Sequence, residues 1–147
     1  MPDVMGAGGD TPVAGNGDRD GVAKQTILLV EDEDIVRGLL REVLERDGYE
    51  VLACAHPDEG IEASRLHGKQ IDLLLTDVVM PGMNGRQMAN RILETLPELR
   101  VVFMSGYSEH ALTHEGQVDS QFEYLQKPFT LKALSKKLTH VLGTRAQ

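Results

Sequence analysis

The chain has a single cysteine, no cluster of lysine and arginine, and no apolar run long enough to span a bilayer. Each absence removes a class of function. Cys54 has no partner for an internal disulfide, and within Val51-Leu52-Ala53-Cys54-Ala55 it reads as a small buried hydrophobe, so a cytoplasmic setting is the default expectation. Against 23 Asp and Glu there are only 15 Lys and Arg, for a net charge of −8. Phosphate backbones and anionic membranes demand clustered cations, which argues against nucleic acid or a membrane surface as a direct partner. The N-terminus also lacks the basic-then-apolar order of a signal peptide. The expectation is a soluble chain of 147 residues, one domain with an added segment, long enough to build a core without staples.

The chain turns on the run Ile71-Asp72-Leu73-Leu74-Leu75-Thr76-Asp77-Val78-Val79-Met80-Pro81-Gly82. This almost wholly apolar stretch reads as a strand buried on both faces, and it delivers one carboxylate, Asp77, before Pro-Gly breaks it. A lone Asp at a strand end decides nothing, because Asp suits turns in any case. Its weight comes from what the other strand ends carry.

Residues 1–24 hold six of the fifteen glycines, two prolines and four aspartates, with no periodic apolar spacing. Such a segment cannot bury enough surface to offset its ordering entropy, so it reads as a flexible tail or linker ahead of a domain over 25–147. Thr26-Ile27-Leu28-Leu29-Val30 is a buried strand running into Glu31-Asp32-Glu33-Asp34. Ile35, Val36, Leu39, Leu40, Val43 and Leu44 follow as a double apolar stripe at helical spacing, stopped by Asp47-Gly48. Residues 49–55 make a second strand. Pro57-Asp58-Glu59 opens a second helix reaching Leu66, with Pro at its tolerated first turn and acids at the positive end of the dipole.

After the central strand, the turn Pro81-Gly82-Met83-Asn84-Gly85 leads to a third helix with Met88, Ala89, Ile92, Leu93 and Leu96 on one face. Residues 100–104 form a fourth strand finishing at Ser105-Gly106, and 107–121 predict only a short fourth helix, interrupted by Gly116 and Asp119-Ser120. Residues 122–126 make a fifth strand, Lys127-Pro128 a break, and Thr130 the cap of a last helix that buries Leu131, Leu134, Leu138, Val141 and Leu142. Five strand-helix repeats imply an α/β fold with a doubly wound, five-stranded parallel sheet, right-handed crossovers and helices on both faces. In such sheets the reactive groups collect beyond the C-terminal ends of the strands.

Four of those ends bring chemistry: Glu31 and Asp32, Asp77, Ser105, and Lys127. Three carboxylates held close repel, which raises the proton affinity of at least one unless a cation relieves them. An oxygen-only donor set of high charge suits a hard divalent ion. Magnesium is the natural choice, because it accepts one or two carboxylates, keeps several waters and leaves room for phosphate oxygens. Asp32 and Asp77 would ligate directly, the backbone carbonyl of Val79 would add a third donor, and Glu31 would act through water. Lys127 can pair with Asp77 at rest and hold a phosphoryl oxygen afterwards, while the Ser105 hydroxyl can turn toward a group placed on Asp77.

Four marks, in order and at fitting spacing, carry a family resemblance: Leu28-Leu29-Val30-Glu31-Asp32-Glu33, Asp77 with Met80-Pro81-Gly82-Met83-Asn84-Gly85, Met104-Ser105-Gly106, and Lys127-Pro128-Phe129. Over about residues 26–142 the chain resembles the receiver domain of bacterial two-component signalling, the flavodoxin-like module of response regulators. The strand order 2-1-3-4-5 comes with that resemblance and not from the spacing. The resemblance implies that Asp77 accepts a phosphoryl group from the phosphohistidine of a histidine kinase or a histidine phosphotransfer protein. It implies that Glu31 and Asp32 hold the magnesium, that Ser105 is the switch hydroxyl, that Lys127 is the site lysine, and that Tyr124 is the aromatic whose rotamer follows phosphorylation. It allows a cis Lys127-Pro128 bond and a weak homodimer through the fourth helix, fifth strand and last helix.

Two positions depart from the commoner pattern: Glu31 stands where Asp is usual and Ser105 where Thr is usual, and neither removes the chemistry. Phe103-Met104-Ser105-Gly106-Tyr107-Ser108 and Tyr124-Leu125-Gln126-Lys127-Pro128-Phe129-Thr130 most resemble receivers at the C-terminus of hybrid sensor kinases. No DNA-binding domain is expected after the last helix.

Other readings of the same residues stand beside this one. Glu31 to Asp34 alone could be acids at a helix N-terminus, and they lack the glycine and third acid of a calcium loop. His110 and His114 have metal-pair spacing but no adjoining glutamate, and read as surface histidines. A magnesium-dependent phosphohydrolase would want an acid two residues beyond its nucleophile, where Val79 stands. A phosphorylation-independent interaction module is the remaining alternative, expected if Asp77, Asp32 or Lys127 were replaced.

Overall fold

The computed structural model describes residues 24–106 and 122–143. Five strands, β1 (Thr26–Val30), β2 (Glu50–Cys54), β3 (Ile71–Asp77), β4 (Arg100–Ser105) and β5 (Phe122–Gln126), pair in parallel in the order β2-β1-β3-β4-β5. Among the described residues the helices are α1 (Asp34–Arg46), α2 (Pro57–His67), α3 (Gly85–Thr95) and α4 (Leu131–Leu142), with one 3-10 turn at Gly68–Gln70. The expected fourth helix at 107–121, with His110 and His114, lies outside the described residues. So does the expected tail up to residue 23, and the proposed homodimer face is therefore described only through β5 and α4.

The inner strands read as nearly continuous apolar runs because both of their faces are covered. One face of the sheet packs Leu28, Val30, Leu74 and Phe103 against Met88, Ala89 and Ile92 of α3, with Ile61 of α2 alongside. On the other face, Ile27, Leu29, Leu73, Leu75 and Val102 meet Leu40 and Leu44 of α1 and Leu134, Leu138 and Val141 of α4. Alternation along each strand sorts successive residues into these two layers. The last helix is tied down further by Ser135 Oγ, which donates to Asp47 Oδ2 at 2.6 Å, and by the Arg100 guanidinium, which donates to the Val141 carbonyl.

Two apolar stripes are narrower than their spacing predicts. Val43 and Leu44 are buried, yet Ile35 is 86% exposed and Leu39 48%, because a sheet covers only one arc of a helix and a six-residue double stripe is wider than that arc. Leu131, at the first turn of α4, is likewise exposed. Thr130 caps α4 as expected, accepting from the Ala133 N–H at 3.0 Å. At α3, Asn84 and Gln87 close a reciprocal capping box, Asn84 Oδ1 accepting at 2.8 Å and Gln87 Oε1 at 3.1 Å.

The strand order reverses direction between β1 and β3, so their C-terminal ends flank the crevice where such sheets bind ligands. Register makes the ends level: Val30 sits opposite Thr76, and Asp77 opposite Met104. Glu31, Asp77 and Ser105 therefore leave the sheet side by side.

The uneven stripe on α1 has a measurable consequence. Leu44→Ala should lower the unfolding free energy by about 2–5 kcal/mol in urea titrations, whereas Ile35→Ala should change it by less than about 0.5 kcal/mol. Equal losses would show that Ile35 is covered in solution.

Candidate functional site

Each site residue is positioned by the main chain before its side chain acts. The Glu31 N–H continues the sheet by donating to the Cys54 carbonyl at 3.1 Å, and the Val78 N–H donates to the Met104 carbonyl at 3.1 Å. Lys127 is bound to the end of β4, its N–H donating to the Ser105 carbonyl at 2.7 Å, and its bond to Pro128 is cis. Arg37, one turn into α1, reaches back: Nη1 donates to the Glu31 carbonyl at 2.9 Å and Nη2 to Asp34 Oδ1 at 2.6 Å. That guanidinium braces the acidic corner from behind.

Three acids meet in the crevice. Single oxygens of Glu31, Asp32 and Asp77 all lie within 4.8 Å of one another. Glu31 is 2% exposed and Asp77 3%, while Ser105 is wholly buried. Lys127 Nζ lies 2.6 Å from Asp77 Oδ1, its side chain 42% exposed. The contact supplies charge without hydrogen-bonding geometry, since Asp77 Oδ1, like Glu31 Oε1, has no hydrogen bond. Glu31 Oε2 is better served, accepting from the Glu33 N–H at 3.1 Å.

Two buried carboxylate oxygens without donors, turned into one small acidic pocket, are what a hard cation would satisfy. The donor set fits magnesium. Without such an ion, burial first and the facing Asp77 carboxylate second push the Glu31 carboxyl from 4.5 up to about 8, against the pull of the Glu33 N–H and the Lys127 charge.

Gly85 controls how closely α3 approaches this site. Its N–H donates to the Val78 carbonyl at 2.6 Å, and a Cβ there would lie 1.9 Å from the Asp77 carbonyl oxygen. No side chain fits. Thr76 Oγ1 holds the same carbonyl, donating at 3.0 Å.

Around the crevice, Val79 leaves its side chain 58% exposed two residues past β3. Tyr124 pairs with Phe103 across β4 and β5, their rings stacked at 5.5 Å. Glu31, Asp32, Asp77, Ser105 and Lys127 lie at strand ends or just past them, while Tyr124, which came with the family resemblance, lies within β5. Sequence reasoning passed over Arg37, Gly85 and Arg86. Only Gly85 left a trace, as part of a turn.

This arrangement has known counterparts. Residues 27–139 match the response regulator receiver domain family. The chain is a receiver domain of that family. It is 38% identical over 117 residues to the sensor kinase CckA of Brucella abortus (strain 2308), covering 80% of this chain and 12% of that protein. It is equally identical, over 117 residues, to the response regulator receiver protein CpdR of the same strain, covering 79% of this chain and 95% of CpdR. Thus the chain spans about an eighth of one relative and nearly all of the other. Among solved structures, the receiver domain from the hybrid histidine kinase CckA superposes with a TM-score of 0.67 at 32% identity, covering 80% of this receiver and 98% of that chain. Receivers generally bind magnesium at an acidic pocket, and here such a pocket is formed by Glu31, Asp32 and Asp77. Their family partners are histidine kinases or phosphotransfer proteins.

Two outcomes follow for this receiver. Because the folded state holds the Glu31 proton more tightly than the unfolded chain, metal-free stability should fall as pH rises from 4.5 through about 8 and stay low above it. Glu31→Gln should flatten that slope in thermal melts; an unchanged slope would assign it to other groups. Gly85→Ala should destabilise by about 3 kcal/mol through overpacking against the Asp77 carbonyl, read in the same urea titrations. A loss under about 0.5 kcal/mol would mean that α3 moves freely there.

Proposed function

We propose that this receiver is a phosphorylation-controlled switch in which Asp77 takes a phosphoryl group from a phosphohistidine. The observation that carries the reading is a buried carboxylate at a strand end whose Oδ1, without a hydrogen bond, lies 2.6 Å from a lysine ammonium. An Asp77 oxygen attacks phosphorus, the new O–P bond forms as the N–P bond breaks, and the electron pair leaves with the imidazole nitrogen. The negative charge on the phosphoryl oxygens is what the site must neutralise.

Magnesium held by Glu31, Asp32, Asp77 and the Val79 carbonyl would supply much of that neutralisation. Lys127 is the cation the chain itself provides, close enough to Asp77 to pass from its carboxylate to a phosphoryl oxygen. Ser105 follows the strand partner of Asp77 at the same end of the sheet, which supports its hydroxyl as a donor to the modified group, and Tyr124, on the face of β4 and β5 that Ser105 shares, as the residue that responds. A doubly negative group that gains such charge-assisted bonds can bias a two-state element. The chain acts on its own aspartate and turns over no outside substrate. In this reading it works in the cytoplasm, either as part of a hybrid kinase or alone, and the likenesses to CckA and to CpdR support one setting each.

Intact mass after treatment with acetyl phosphate tests this. A single phosphoryl gain that requires magnesium and is lost in Asp77→Asn is the expected result, and Lys127→Ala should cut the extent severely. The adduct should survive beyond seconds, since the Val79 side chain has no group to orient water. No gain in the wild type would refute the switch and favour a phosphorylation-independent interaction module.

A further inference from the structure

We propose that Arg86 is a positioning residue for the output of this site: it grips Tyr124 and Phe122 from the start of α3 and holds the Tyr124 ring in its resting place. The inference rests on the reading of Asp77 and Tyr124 above, and adds a residue to it.

Arg86 spans from α3 to the far edge of the sheet. Its guanidinium carbon lies 4.7 Å from the centroid of the Phe122 ring, a cation–π contact, and Nη1 donates to the Tyr124 hydroxyl across a long 3.4 Å. Those two rings are not independent. Phe103 stacks on Tyr124 at 5.5 Å and meets Phe122 edge-on at 5.4 Å, so the guanidinium sits against two rings of a three-ring cluster on one face of β4 and β5. Phe103 precedes Ser105 by two positions and shares its face of β4. The cluster therefore abuts the strand end where the phosphoryl group would arrive.

The anchor of the grip is equally local. Arg86 follows Gly85, whose missing side chain lets α3 press against the Asp77 carbonyl, since a Cβ there would lie 1.9 Å from that oxygen. Gly85 and Arg86 thus tie the acceptor strand and the ring cluster to the same helical turn. Any displacement of Tyr124 must first part it from Arg86.

The test uses the full chain labelled with 3-fluorotyrosine, whose three tyrosines give three fluorine signals, Tyr124 being assigned with Tyr124→Phe. In Arg86→Ala the resting Tyr124 signal should shift while that of Tyr49, on the opposite face of the sheet, stays in place. Titration with beryllofluoride and magnesium should complete the Tyr124 change at about three-fold lower concentration than in the wild type, the size expected for one lost cation–π contact. Arg86→Lys, which keeps a cation over Phe122, should fall between the two. An unmoved resting signal, an unchanged or raised midpoint, or a joint shift of Tyr49 and Tyr124 that marks general loosening would overturn the proposal. Acetyl phosphate uptake, read by mass on the same samples, separates the two ideas. Uptake should be normal in Arg86→Ala, and its absence in the wild type would sink the Asp77 reading while leaving the resting signals to judge Arg86.

Discussion

Burying a carboxylate without a full set of hydrogen bonds is among the costlier arrangements a fold can adopt, and this one does it at two neighbouring positions, Glu31 and Asp77. The Lys127 ammonium answers part of the charge, and a proton retained by Glu31 answers another part. The pocket, lined by oxygen, still favours further positive charge. Much of the surrounding construction serves to keep those oxygens in place: Arg37 behind the acidic corner, Thr76 and the Gly85 turn around the Asp77 main chain, and the Ser105 carbonyl holding the start of the Lys127 loop.

The same preference explains why the pocket sits at this point of the sheet. Level register between β1, β3 and β4 delivers the acids and the serine to one edge, and the reversal of strand order opens a gap between the helix pairs on the two faces. An unpaired charge deep within either apolar layer would find no water and no ion. At the strand ends it has access to both.

The parts of this protein legible in its sequence are those governed by short-range pattern. Inner strands show as nearly continuous runs because all of β1, and all of β3 and β4 except Asp72 and Arg100, is buried, and Thr130 shows as a cap because its hydroxyl acts three residues away. The four strand-end motifs were readable for the same reason, each being local. Where the reading of α1 went too far, the cause was geometric: spacing reveals that Ile35 and Leu39 lie near the apolar side, but not how far the sheet reaches around it. Arg37 and Arg86 were invisible because long side chains choose partners by packing, and Arg86 meets Tyr124 from 38 residues away. The Asn84 and Gln87 pair, an amide three residues ahead of another, is a local signal of the same kind as the Thr130 cap.

The two signs of charge in the crevice are carried by strands of different rank. Glu31 and Asp32 follow β1 and Asp77 ends β3, strands with neighbours on both sides, whereas Lys127 follows β5, one of the two edge strands among the described residues. Local opening in proteins begins where backbone pairing is one-sided, and inner strands let go only with the whole domain. Fraying of the β5 edge would thus withdraw the cation while the acids stayed assembled. Amide exchange should grade accordingly, slow beside the carboxylates and faster beside the lysine, so that the pocket is at its most negative in the moments when its rim is loose.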